Sequence, residues 1–127
     1  MQVIWQKNTQ NNEWFDLLRL DLDAPYFTNP AIKKGVFVIW YTAPSLAKVI
    51  KIGSGNLAEQ LKNLRTNPSI LQYSNIGQLK VAWIAVNGVL QESQMPNVEV
   101  FLNKKYSPLI EGLKMGVEEL PVNLIGK

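Results

Sequence analysis

The stretch from Gly35 to Gly53, with the segment it runs into, constrains the fold of this chain more than any other part. It opens as GVFVIWY, turns at Pro44, returns as KVIKIG and runs through SGNLAEQL. Two short runs rich in β-branched and aromatic residues, joined by a proline-containing turn, predict a β-hairpin with strands over 35–41 and 49–53. Asn56 followed three residues later by Glu59 fits a capping box. Leu57, Leu61 and Leu64 then recur at helical spacing until Asn67-Pro68 stops the run. A chain patterned in this way lays a helix directly on the sheet that its hairpin begins.

The rest of the chain adds to that nucleus. LKVAWIAV, residues 79–86, is almost continuously apolar, which predicts a central strand buried on both faces. Val3 to Gln6 reads as a short strand, and NTQNNE after it as a turn. Leu18, Leu20 and Leu22 alternate with Arg19, Asp21 and Asp23, predicting an extended segment that ends at Ala24-Pro25. The same alternation explains Asp21 and Asp23 as a solvated face rather than a metal pair. A loop is expected over 27–34, a helical piece around Ile70 to Tyr73, a loop through Gly88 and Pro96, a helix over 98–106, and an extended tail at PVNLI. The expected fold class is α/β (α+β): a small mixed or antiparallel three-stranded core sheet flanked by helices, with N-terminal strands added. One domain, 1–127, is expected, with 1–34 as an N-terminal extension and 35–123 as the core.

At 127 residues and 46% hydrophobic content, the chain can bury one sizeable core. It has no cysteine and no histidine, which removes disulfides, thiolate nucleophiles, zinc fingers and imidazole bases together. A metal would have to be a hard cation held by oxygens. No apolar stretch reaches the roughly 18 residues needed to span a bilayer, and the N-terminus lacks a basic leader. A cytoplasmic protein with no membrane contact is expected. The net charge of +3 permits a local nucleic-acid patch without requiring one. Lys33, Lys34, Lys48, Lys51, Lys62 and Arg65 gather around the hairpin and helix, either as such a patch or simply as solubilising charge.

These phrases together resemble the GIY-YIG nuclease family. The first tripeptide is Gly35-Val36-Phe37 and the second Lys51-Ile52-Gly53. EWFDLLRLDLDAP before the hairpin, LKVAWIAV as third strand and PVNLI at the close are similar to a bacterial subgroup of that family. The resemblance covers roughly 35–123 and implies a three-stranded antiparallel sheet flanked by helices. It also implies phosphodiester hydrolysis, with a tyrosine from each tripeptide and an arginine on the first helix. A glutamate on the second helix holds magnesium or manganese, and an asparagine lies near the end.

Glu99 matches the metal-binding glutamate and Asn123 the terminal asparagine; by themselves they would read as a surface glutamate and a turn residue. The other positions depart. Phe37 keeps a ring but lacks the hydroxyl, and Tyr41 lies about 13 Å further along the strand, too far to replace it. Lys51 stands for the second tyrosine, either as a phosphate contact or as a solvated edge lysine. Gln60 replaces the arginine, and Leu64 occupies a position where some members carry histidine. Losing one preorganised donor costs about 10²–10³ in rate. The resemblance therefore implies a catalytically impaired domain, a DNA-binding or protein-interaction remnant. The alternative is a slow, divalent-metal-dependent endonuclease that uses Lys51, Glu99 and Asn123. Phe37, Lys51, Gln60, Glu99 and Asn123 are expected to converge on one concave surface. Phe37→Tyr with Gln60→Arg is expected to restore the missing groups at little cost to the fold.

Two other readings need no family. Gly53-Ser54-Gly55 before a helix could cradle a phosphate, though the spacing and lysine of a P-loop are missing. The four tryptophans could anchor a protein partner. Trp40 and Trp83 lie in core strands, so an exposed Trp5 or Trp14 would be the sign of it.

Overall fold

The computed structural model describes residues 1–43, 47–87, 89–110, 112 and 116–125. The turn expected at Pro44 and Gly88 of the later loop lie outside the described residues. Four strands form one antiparallel sheet: β1 (Phe15–Asp16), β2 (Lys34–Thr42), β3 (Ala47–Asn56) and β4 (Gln78–Ala85). Their order is β1-β4-β2-β3, so β2 and β4 are interior and β3 is an edge. β2 and β3 pair from Lys34 opposite Asn56 to Thr42 opposite Ala47, with a bulge beside Ile39 and Trp40. On the other side β2 pairs with β4 from Gly35 opposite Ala85 to Thr42 opposite Gln78. The hairpin, the following helix and the long apolar third strand fall where the sequence pattern puts them. The sheet is wholly antiparallel, and β1 adds a fourth strand to the three expected.

The helices are α1 (Pro25–Thr28), α2 (Leu57–Leu64), α3 (Pro68–Leu71) and α4 (Met95–Tyr106). Asn56 caps α2 by accepting from the Glu59 N–H, a bond worth about 1 kcal/mol to the helix. Leu57, Leu61 and Leu64 bury the apolar face of α2 against Phe37, Ile39, Tyr41, Ile50, Val81 and Trp83, with Leu17, Leu20, Phe27 and Ile70 completing that layer. The opposite face of the sheet, with Val36, Val38, Ile52, Ala82 and Ile84, packs on Val98, Phe101 and Leu102 of α4. Val3, Trp5 and Val122 close this second layer. β4 is apolar at nearly every position because alternate residues feed different layers. No helix among the described residues is long and apolar enough to cross a membrane.

Several expectations need correction. Val3 to Gln6 is not a strand; the segment is held instead by single bonds, Gln6 N–H to the Trp83 carbonyl among them. The alternating leucines do not form an extended run. Phe15–Asp16 is the strand, and Leu17–Arg19 is a 3-10 turn that buries Leu17 and Leu20 and leaves Leu18 outside. A three-residue turn satisfies two buried leucines as well as a strand does, and the tertiary layer decides between them. Asp21 accepts from the Asp23 N–H in an exposed turn. The loop at 27–34 begins inside α1, and the last helix starts at Met95, three residues earlier than expected, with Pro96 in its first turn.

Candidate functional site

The residues matched to a nuclease site divide between the two faces of the sheet. On the α2 side, Phe37 is fully buried, directly opposite Gly53 on β3. A Cβ built on Gly53 would lie 2.5 Å from Cζ of Phe37, so the ring lies over the glycine and fills the space between the two tripeptides. Lys51 is opposite Ile39, which puts its half-buried side chain on this same side. Gln60 is half-buried on α2 beside Gly55: Nε2 stands 3.6 Å from where a Cβ of Gly55 would be. Gly55 has φ +127°, a conformation suited to glycine. Leu64 is buried in the apolar layer, and Tyr41 stacks on Tyr73 with ring centroids 5.8 Å apart.

Glu99 lies on the other side. It is 7% exposed and accepts a 2.8 Å hydrogen bond from Ser54 Oγ at Oε2. Ser54 is opposite Val36, whose side chain belongs to the α4 layer. One turn on, Asn103 is 3% exposed; its Nδ2 donates to the Glu99 carbonyl, and its Oδ1 accepts from the Gly112 N–H. Ser54, Glu99 and Asn103 form a polar seam that ties α4 to the edge strand, and all three have partners, as buried polar groups require. The i, i+4 spacing of Glu99 and Asn103 was the available sequence signal for this seam. Ser54 had none beyond its place next to Gly53.

Asn123 is committed elsewhere. Its Oδ1 accepts from the Val3 N–H at 2.6 Å and its Nδ2 donates to the Val3 carbonyl at 3.0 Å, while its own carbonyl accepts from Trp5 Nε1. It works as a clasp between the two terminal segments. The five matched positions thus do not converge on one concave surface. A cationic Lys51 and the Gln60 amide lie on one face; the carboxylate lies on the other, joined to a serine.

The metal expected at Glu99 fits poorly. Magnesium keeps several waters and near-octahedral geometry, whereas Glu99 is buried and Ser54 already occupies Oε2. Among the described residues there is no cluster of three or more acidic, histidine or cysteine side chains. Gly53 to Gly55 lie within the ladder to β2, not in a free phosphate-cradling loop.

The basic residues are dispersed. Lys34 pairs with Glu92, and Arg65 donates to the Leu20 carbonyl. Lys62 and Arg65 share a groove with Asp21, Asp23 and Glu59. Of the tryptophans, Trp5 and Trp83 are buried, whereas Trp14 and Trp40 are partly exposed and meet edge to face at 5.8 Å. Comparison of this chain with protein-family models, with characterised proteins and with solved structures finds no match in any of the three.

Proposed function

We propose that this chain is a GIY-YIG-like scaffold whose site has given up nuclease chemistry, and that it works by binding rather than by cutting. The observation that carries this reading is the fully buried Phe37 ring lying over Gly53. A nuclease of this kind needs a hydroxyl beside the scissile phosphate to position water; here that space is apolar core. Support also comes from Gln60, a neutral amide where the phosphate's transition-state charge calls for a cation. The division of Lys51 and Glu99 between opposite faces removes a shared catalytic cleft, and it counts against the residue-by-residue match to the family as well as against cutting. A protein or small-molecule partner is favoured over DNA, because Lys34 and Arg65 are engaged within the fold and Lys62 stands among carboxylates.

A supercoiled-plasmid nicking assay with magnesium or manganese tests the proposal, run beside fluorescence anisotropy on labelled duplex DNA. The expected result is no nicking above a no-enzyme blank and no binding at physiological salt. Metal-dependent nicking lost in a folded Lys51→Ala variant would overturn the proposal in favour of the slow endonuclease. Duplex binding without cutting would make the domain a DNA-binding remnant.

A further inference from the structure

A cavity of about 450 Å³ opens on the α4 side of the sheet, at the far end of the hairpin from Gly53. This volume lies within the range of small-molecule sites, which are mainly apolar with a few convergent polar groups. Trp14, Trp40, Val49, Tyr106 and Ile125 form its walls, and all are partly buried side chains packed against the α4 layer. Trp14 and Trp40 meet edge to face at 81°, so the two indoles stand as flat walls at nearly a right angle. A planar ring covers walls of that kind best, by stacking on one and meeting the other with its edge.

The charges around the cavity are turned away or already engaged. Lys48 lines it by position, but it is opposite Tyr41, whose side chain belongs to the α2 layer, so its ammonium stands on the other face of the sheet. Lys80, opposite Trp40 on the cavity's own face, is closed by Asp16 at 2.6 Å. Lys7 Nζ is held over the Trp14 ring, 4.5 Å from its centroid. Lys104 pairs with Glu119, and Lys105 lies over Phe101. No carboxylate side chain is among the described lining residues. A charged ligand would therefore lose its hydration without gaining a counter-ion. An anion would also meet the C-terminus of α4, the negative end of its dipole, and a cation would meet Lys7.

Tyr106 supplies the polar contact. Its hydroxyl oxygen accepts from the Ile125 N–H at 2.9 Å, and among the described residues nothing accepts its proton. Both residues line the cavity, so this bond fixes the phenol in the wall and leaves one donor to give. Burial raises the Tyr106 pKa above the ordinary 10.0, against a smaller lowering by the Ile125 bond, which keeps the proton on the oxygen at physiological pH.

We propose that this cavity is a binding site for a small, uncharged aromatic compound, its ring against Trp14 and Trp40 and a hydrogen-bond acceptor at its rim on the Tyr106 hydroxyl. The site is remote from the positions matched to a nuclease and stands whether or not the scaffold is GIY-YIG-like. The aromatic walls select the flat ring, the absence of a facing counter-ion selects neutrality, and the unspent proton selects the acceptor.

The experiment titrates the full chain with four compounds that share a ring: indole-3-acetamide, 3-methylindole, indole-3-acetate and tryptamine. Shifts of the four indole N–H resonances in ¹H–¹⁵N spectra give both place and affinity. The expected result is perturbation of Trp14 and Trp40 but not of Trp83, which lies in the α2 layer. The amide should bind about tenfold more tightly than the acid or the amine. It should bind about fivefold more tightly than 3-methylindole, which has no acceptor, as one net hydrogen bond allows. Tyr106→Phe should erase the amide's advantage over 3-methylindole while 3-methylindole itself still binds. Ala47→Phe, at an exposed position on the cavity's rim, should weaken all four without lowering the melting temperature. Binding of the acid or the amine as tight as that of the amide would overturn the proposal. So would an amide advantage that survives Tyr106→Phe, or no perturbation up to about 1 mM, the weak limit of specific affinity.

Discussion

Phe37 and Gly53 face each other across β2 and β3, and the sequence alone makes them look like the worn remains of a catalytic pair. The geometry gives them a different task. With the ring's para carbon over the glycine, position 37 is a packing residue that requires a glycine partner. Alanine in an ordinary strand position is better than glycine by about 0.5–1 kcal/mol, so a destabilising Gly53→Ala would report the collision. We expect a loss of about 1–3 kcal/mol, the usual cost of overpacking, read from the urea midpoint. In a Phe37→Leu background the same change should become neutral or stabilising; an unchanged cost there would mean the ring is not the cause. Phe37→Tyr is not the mild restoration expected from sequence, because its hydroxyl enters a fully buried site and costs about 1–3 kcal/mol if left unpaired.

At the scale of elements, the terminal segments have no ladder of their own and depend on specific side chains. Val3 and Trp5 reach the α4 layer, where they are 8% exposed each, because Asn123 mimics a strand partner for Val3 and offers its carbonyl to Trp5. Met1 adds a bond from its amino group to the Pro121 carbonyl. Asn123→Ala removes two hydrogen bonds, each worth about 0.5–1.5 kcal/mol net. The expected loss is therefore roughly 1–3 kcal/mol, with faster amide exchange at Val3 and a more quenchable Trp5. If exchange at Val3 is unchanged, the apolar contacts hold the segment and the clasp is incidental. α4 differs in that it buries two polar side chains, Glu99 and Asn103, among Val98, Phe101 and Leu102. This helix is specified by its seam to Ser54 as well as by its apolar face.

For the whole molecule, the order β1-β4-β2-β3 sets both stability and site geometry. β2 is paired on both sides from Gly35 to Thr42, β4 is paired with β2 throughout and with β1 at Lys80 and Val81, and both strands feed both apolar layers. Their central amides should exchange only through global unfolding, whereas β3 has one full strand partner and β1 has two residues. The measurement is native-state hydrogen exchange. Val38 and Ala82 should be among the slowest and Phe15 among the fast; an edge strand as protected as β2 would contradict the order. The same layering separates the matched site residues, since Lys51 and Ser54 are three positions apart on β3 and an odd separation puts their side chains on opposite faces.

What the sequence determined by itself was local. Period-two and period-3.6 patterns, the Asn56 cap and the unbroken apolar run at 79–86 specify the hairpin, α2 and the interior strand, because each is encoded within a few neighbouring residues. The leucines at 17–22 were ambiguous, as two buried side chains fit a turn or a strand equally well. The candidate site was legible only as a set of residue types. Glu99 and Lys51 are 48 positions apart, and nothing in their spacing says on which side of the sheet each one lies. Only the tertiary register decided that, by alternating side chains across β3 and setting α2 and α4 on opposite faces. The cavity between Trp14, Trp40 and Tyr106 was likewise invisible: it belongs to five separate stretches of chain that meet only when both termini fold back onto the sheet.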